Sequence, residues 1–129
     1  MNERRALQLA VALASLVPIS AGAAGIALGE AMVGVANASA DADSHFRYLS
    51  GLLLGVGLAF LASVPRIEWH AARFRLLGAI VVIGGFARLL SLLLRGHPSA
   101  PMLFALAMEL IVTPAAVLWQ GRIGRRLSS

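Results

Sequence analysis

The chain has 129 residues, of which 59% are hydrophobic and 13% charged, and its mean hydropathy is +0.83. This composition is too apolar for an ordinary soluble domain of this length and indicates a membrane protein. The formal charge is +5 and every basic residue is arginine, but the arginines are scattered between apolar runs rather than gathered on one face, which argues against nucleic-acid binding. Without cysteine, the chain is excluded from thiol–disulfide exchange, iron–sulfur ligation and thiolate zinc sites.

Four apolar runs follow one another along the chain, each close to the roughly 20 residues that a helix needs to cross a bilayer. They cover residues 6–28, 48–64, 74–94 and 102–120, and residues 29–45 make the one long polar connector between them. We therefore predict an all-α fold: a four-transmembrane-helix bundle that forms a single domain over residues 1–129, with an external loop at 29–45.

The positions of the arginines predict how the helices are oriented. Most of them precede the first run, lie between the second and third, or follow the fourth: Arg4, Arg5, Arg66, Arg73, Arg75, Arg122, Arg125 and Arg126. By the positive-inside rule both termini are then cytoplasmic, in a multi-pass protein of the bacterial inner membrane. A cleaved signal peptide is the alternative for the start of the chain, but the first run is longer than such segments usually are and carries small residues spaced for helix packing.

Two opposite charges lie inside the last two apolar runs, Arg88 in the third and Glu109 in the fourth. At about 1.5 Å per helical residue, Arg88 lies about 10 Å from the end of its run, and Glu109 about 12 Å from the start of the next. Because consecutive helices with a short connection run antiparallel, the two depths match. A charge inside the bilayer is costly, so a partner or a polar cavity is expected there.

Small and polar residues share the helix faces on which the two charges lie. On the third helix Gly84, Gly85 and Ser91 accompany Arg88, and on the fourth Thr113 accompanies Glu109. This pattern predicts that both charges face the interior of the bundle rather than lipid. Pro114 predicts a distortion one turn beyond Glu109, because proline lacks the N–H that a helix needs at that position.

Further polar residues are expected at the same outer level of the membrane. Glu30 ends the first helix and Arg47 begins the second. We predict an outward-facing pocket lined by five residues: Glu30, Arg47, Arg88, Ser91 and Glu109. No metal site and no cofactor is predicted, since no histidine falls within a helix core where it could ligate a membrane haem.

Several segments resemble an uncharacterised family of small bacterial four-helix integral membrane proteins, known as a domain of unknown function. The resemblance rests on residues 44–51 (SHFRYLSG), residues 87–94 (ARLLSLLL) and the pattern of Glu109, Pro114, Trp119 and Gln120 in the fourth helix. It covers about residues 29–120 and implies the fold and the membrane location, but no substrate or catalytic residue. A looser likeness to DoxX-type membrane proteins concerns only the number and size of the helices.

Three hypotheses of function follow. In the first, the protein binds a lipid headgroup or small amphiphile in the pocket, with Arg47 and Arg88 on an anionic group. In the second it is a structural or accessory subunit, in which the ion pair only fixes packing and a membrane partner or a second copy decides the physiology. In the third, Glu109 is the protonatable group of a carrier or membrane enzyme, although general acid–base chemistry usually needs a second titratable group at the site. We favour the first and do not expect an enzyme.

Overall fold

The computed structural model describes residues 2–128, which are helical with short connections and contain no strand. The α-helices are α1 (Glu3–Leu28), α2 (Ala40–Ala62), α3 (Ala71–Arg95), α4 (Ala100–Ala107) and α5 (Thr113–Ser128). Short 3-10 turns follow α1 (Gly29–Val33) and precede α3 (Ile67–Trp69), and a π-helical turn (Met108–Val112) joins α4 to α5. Four segments are long and apolar enough to cross a membrane: Glu3–Val33, Ala40–Ala62, Ala71–Arg95 and Ala100–Leu127. The predicted all-α class with four candidate spans is therefore confirmed.

The polar connector predicted at residues 29–45 is much shorter in the structure. α2 begins at Ala40 rather than at residue 48, because the hydroxyl of Ser39 caps the helix by accepting a hydrogen bond from the N–H of Ala42 at 3.1 Å. Asp41 and Asp43 add negative charge at the positive end of the helix dipole. The predicted loop is thus wrong over most of its length, and residues 34–39 alone remain outside helices.

The last helix also extends beyond the apolar run that predicts it. α5 continues from residue 120 to Ser128 through a basic segment. Arg125 and Arg126 lie in its last turn, where positive charge interacts favourably with the negative end of the helix dipole. Hydropathy alone therefore placed the end of this helix too early.

The described chain divides into two compact units, residues 8–65 and residues 2–7 with 66–128. In the first unit α1 and α2 approach closely at glycines. A Cβ on Gly22 would lie 2.6 Å from the backbone nitrogen of Leu54, and one on Gly57 would lie 2.8 Å from Cγ1 of Ile19. Gly55, by contrast, has nothing within 4 Å of such a Cβ. The single domain expected over residues 1–129 stays a prediction.

The second unit has a small apolar core beside a close contact between α3 and α5. Its most buried apolar side chains are Leu7, Ile67, Phe74 and Ile123. The amide of Gln120, also buried, donates to the carbonyl of Ile67 at 2.7 Å and is thereby satisfied. Val117 of α5 packs closely against Gly78 of α3, since its Cγ2 would lie 2.5 Å from a Cβ on that glycine. This contact packs α5 directly against the part of α3 that precedes Arg88.

Candidate functional site

Arg88 and Glu109 form a bidentate ion pair between α3 and the π-helical turn. Nε of Arg88 donates to Oε2 of Glu109 at 3.0 Å, and Nη2 donates to Oε1 at 3.1 Å. Two parallel N–H donors on one carboxylate are the strong form of this interaction. Arg88 lies about 10 Å before the end of α3 and Glu109 about 14 Å after the start of α4. The matched depths predicted from the sequence thus correspond to a direct contact.

The guanidinium group of Arg88 also reaches α4. Its Nη1 donates to the sulfur of Met102 at 3.1 Å. An arginine side chain carries five N–H donors, and the contacts with Glu109 and Met102 use three of them. No other residue in the described part of the chain accepts from the remaining two. The side chain of Arg88 is 32% exposed and that of Glu109 16%. The part of the ion pair that is open to the surroundings is therefore the guanidinium group of Arg88, which we call the open edge.

Glu109 lies in a π-helical turn rather than in regular α-helix. The N–H of Thr113 bonds to the carbonyl of Met108, five residues earlier, and the Thr113 hydroxyl donates to the same carbonyl at 2.8 Å. Pro114 has no N–H to offer the preceding turn, and the widened turn accommodates that loss. The distortion predicted beyond Glu109 therefore includes Glu109 itself.

Gly85 allows the π-helical turn to approach α3. A Cβ at this position would lie 2.9 Å from Cβ of Glu109 and 2.7 Å from Cδ2 of Leu110, whereas a Cβ at the neighbouring Gly84 would have nothing within 4 Å. Of the two glycines predicted to share the packing face, Gly85 is the one in contact. Arg88 lies almost one turn further along α3, so the close approach at Gly85 brings its side chain within reach of Glu109.

Arg47 lies in the unit of residues 8–65, where its guanidinium group already has hydrogen-bond partners. Its Nε donates to Oδ2 of Asp43, one turn earlier on α2, at 2.8 Å. Its Nη1 donates to the carbonyls of Ile26 and Ala27, in the last turn of α1. A helix leaves its last four carbonyls without an intrahelical partner, so Arg47 caps the end of α1. Its predicted contact with an anionic ligand stays a prediction.

Glu30 and Ser91 are the other two residues of the predicted pocket. Glu30 lies in the 3-10 turn after α1 and borders, with Asp43, a cavity of about 180 Å³ in the unit of residues 8–65. Ser91 is an exposed residue of α3, almost one turn beyond Arg88. That all five residues line one pocket stays a prediction.

Two partners in these networks were missed by the sequence interpretation. Met102 is an apolar residue in an apolar run, and nothing in the sequence distinguishes it as a partner of Arg88. Asp43 lies in the segment predicted as a connector, although its spacing of four residues from Arg47 is typical of an ion pair on a helix. That signal depends on recognising the segment as helical.

The chemistry available at Arg88 and Glu109 is that of binding and orientation. An arginine fixed by one carboxylate can hold a phosphate or carboxylate group, or it can fix the packing of two helices. Within residues 2–128, no group of three or more His, Asp or Glu side chains could hold a metal ion.

The protein is all-α over the described residues, and its four helices are long and apolar enough to cross a membrane, which suggests a multi-pass membrane protein. The chain belongs to the family described as a domain of unknown function, DUF4345, whose family model matches residues 6–120. The resemblance to an uncharacterised family is thereby confirmed in general form, while its bacterial origin and the particular motifs stay predictions. Searches of curated proteins and of solved structures found no match.

Proposed function

We propose that this protein binds a lipid headgroup or a small phosphate-bearing amphiphile at Arg88, in the bacterial inner membrane. The observation that carries the proposal is the open edge of the guanidinium group: Arg88 is twice as exposed as Glu109, and two of its donors have no acceptor among the described residues. A donor inside a membrane without an acceptor is costly, so a ligand oxygen there is favourable.

The orientation of the protein follows from its arginines. The positive-inside rule puts both termini in the cytoplasm, and the connection between α3 and α4 on the outer side. Arg88 and Glu109 are closer to that connection than to the opposite ends of their helices, so the site belongs to the outer leaflet. A headgroup from that leaflet has only about 10 Å to descend along α3.

Charge balance favours a headgroup that carries both signs. The ion pair is neutral, so a purely anionic ligand would leave a net charge in apolar surroundings, where charge is costly. Phosphatidylethanolamine offers a phosphate to Arg88 and an ammonium group to Glu109, with no change in net charge. Its ammonium N–H groups can also bond to a carboxylate, which the methylated ammonium of phosphatidylcholine cannot do.

Native mass spectrometry tests this proposal directly. The protein is released from nanodiscs that contain equal amounts of phosphatidylethanolamine and phosphatidylcholine, and the retained lipid is identified by mass. We expect one phosphatidylethanolamine adduct on the wild type, its loss in Arg88→Gln, and its retention in the control Arg95→Gln, which removes an exposed arginine from the same helix. An adduct that persists in Arg88→Gln would contradict the proposal.

A second candidate function is that of a structural or accessory membrane subunit. It is favoured by the close packing at Gly85, since a bidentate pair beside such a contact also fixes how α3 meets the π-helical turn. The pair would then serve stability, and a second copy or a membrane partner would determine the activity. In that case the wild type carries no specific lipid, while removal of either charge still destabilises the protein.

A further inference from the structure

One end of the unit of residues 2–7 and 66–128 joins three separate segments of the chain. Nε of Arg4, in the first turn of α1, donates to Oε2 of Glu68 in the 3-10 turn before α3, at 2.8 Å. Glu3 accepts from Nε1 of Trp119 at 3.2 Å and from Nη1 of Arg126 at 2.7 Å, both on α5. The start of α1, the turn before α3 and the end of α5 therefore meet at this end.

Positive charge is concentrated where these segments meet. We call this region the basic end, and its arginines are Arg4, Arg5, Arg66, Arg73, Arg75, Arg122, Arg125 and Arg126. Its two carboxylates are Glu3 and Glu68, so its formal charge is +6, while the other three arginines and four carboxylates of the chain give −1. Both carboxylates are already paired with arginines. Arginines therefore outnumber carboxylates at this end.

Three of these arginines are directed to the surroundings of the protein. Arg5, Arg66 and Arg75 are exposed, and no carboxylate of the described residues pairs with them. Trp69 lies between Arg66 and Arg75 in the chain and is 78% exposed. Arg5 follows Arg4, which pairs with Glu68, the residue before Trp69. Exposed tryptophan at the end of a membrane-spanning helix is typical of the headgroup level, where the ring meets lipid and the N–H meets water. The three guanidinium groups are therefore expected at the level of the lipid phosphates.

We propose that the basic end binds anionic phospholipid of the adjoining leaflet through Arg5, Arg66 and Arg75. Each guanidinium group can hold two oxygens of a phosphodiester in its planar fork and remains charged at any physiological pH. Phosphatidylglycerol has the required chemistry: one negative phosphodiester and no compensating ammonium group. This surface is at the opposite end of α3 from Arg88 and requires a different headgroup, so it is independent of the function proposed above.

Intrinsic fluorescence offers a local probe because the two tryptophans of the chain, Trp69 and Trp119, both lie in the basic end. The protein is reconstituted in phosphatidylcholine vesicles that contain a fixed mole fraction of a brominated lipid, which quenches tryptophan on contact. The brominated chains are carried either by phosphatidylglycerol or by phosphatidylcholine. The ratio of the two quenching curves gives the preference of this end for the anionic headgroup.

We expect the wild type to prefer phosphatidylglycerol by about fivefold for each arginine engaged. The double variant Arg66→Gln/Arg75→Gln should lose most of this preference, whereas the control Arg95→Gln, at the other end of α3, should keep it. Arg88→Gln should also keep it, which separates this surface from the ion-pair site. Equal quenching of the wild type by both lipids, or an unchanged preference in the double variant, would overturn the proposal. Circular dichroism of each variant checks that it remains helical.

A second double variant tests whether the guanidinium fork matters beyond its charge. Arg66→Lys/Arg75→Lys keeps the charge and the positive-inside signal but replaces each fork with a single point charge. We expect this variant to fall between the wild type and the glutamine variant in its preference for phosphatidylglycerol. Full retention would overturn the assignment of paired phosphodiester contacts, since charge alone would then account for the binding.

Discussion

The packing that positions Glu109 can be tested at two neighbouring glycines of α3. In Gly85→Ala the new Cβ would lie 2.9 Å from Cβ of Glu109 and 2.7 Å from Cδ2 of Leu110, so the π-helical turn must move away. In Gly84→Ala the new methyl group enters open space, with nothing within 4 Å. The two variants differ by one position on the same helix and have identical chemistry, which makes each the control of the other.

The expected difference follows from two opposing contributions. Replacing glycine by alanine inside a helix stabilises the folded state by about 0.5–1 kcal/mol through backbone entropy, and this gain is shared by both variants. Overpacking at a tight contact costs about 1–3 kcal/mol and applies to Gly85→Ala alone. The shared gain cancels in the comparison, so Gly85→Ala should be about 1–3 kcal/mol less stable than Gly84→Ala. For a chain of this size that corresponds to a gap of about 3–10 °C in melting temperature.

Thermal unfolding followed by circular dichroism, with both variants in the same detergent, measures this gap. A Gly85→Ala variant as stable as Gly84→Ala would refute the reasoning, because it would mean that the π-helical turn does not lie against α3 at this glycine. Reversed stabilities would show that Gly84 makes the contact instead.

Three further predictions concern individual interactions. Arg88→Glu or Glu109→Arg alone places like charges together and should lower the unfolding free energy by about 3 kcal/mol or more. Combining the two substitutions should recover part of this loss in the same unfolding assay. No recovery would argue against a direct ion pair. Thr113→Val removes the hydroxyl bond in the π-helical turn and should cost about 0.5–1.5 kcal/mol of unfolding free energy, while Thr113→Ser should cost less. The hydrogen bond from Arg4 holds the pKa of Glu68 below the ordinary 4.5. The stability that this carboxylate contributes is therefore complete above pH 4.5 and is lost as the pH falls through the lower pKa of the folded state. The unfolding free energy of Glu68→Gln should depend less on pH in this acid range, and an unchanged dependence would contradict the prediction.

The sequence predicted the four helices well and their ends poorly. Apolar runs of about 20 residues identify spans, because the bilayer sets the required length. The first turns of α2 and the last turns of α5 are polar. The start of α2 is stabilised by the Ser39 cap and by acidic residues, and the end of α5 by basic residues that interact favourably with the helix dipole. Hydropathy does not detect either effect, which is why the predicted connector at 29–45 was too long.

The ion pair could be anticipated from depth alone, but its surroundings could not. Counting residues from the ends of the runs placed Arg88 and Glu109 at the same level. Which of Gly84 and Gly85 makes the contact depends on helical phase to within one residue, and the π-helical turn changes that phase locally. The role of Arg47 depends on its side chain, on α2, reaching the carbonyls at the end of α1. The spacing of residues in the sequence does not predict this contact between the two helices.

The most direct test of lipid binding at Arg88 is a native mass spectrum of the charge-swapped protein, Arg88→Glu with Glu109→Arg, beside that of the wild type. The swap keeps an ion pair between the same two positions, so it separates packing from the location of the guanidinium group. We predict that the wild type retains one phosphatidylethanolamine and that the swapped protein, folded by circular dichroism, retains none. Equal retention by both proteins would contradict the account, because the headgroup would then not be held by a guanidinium group at position 88.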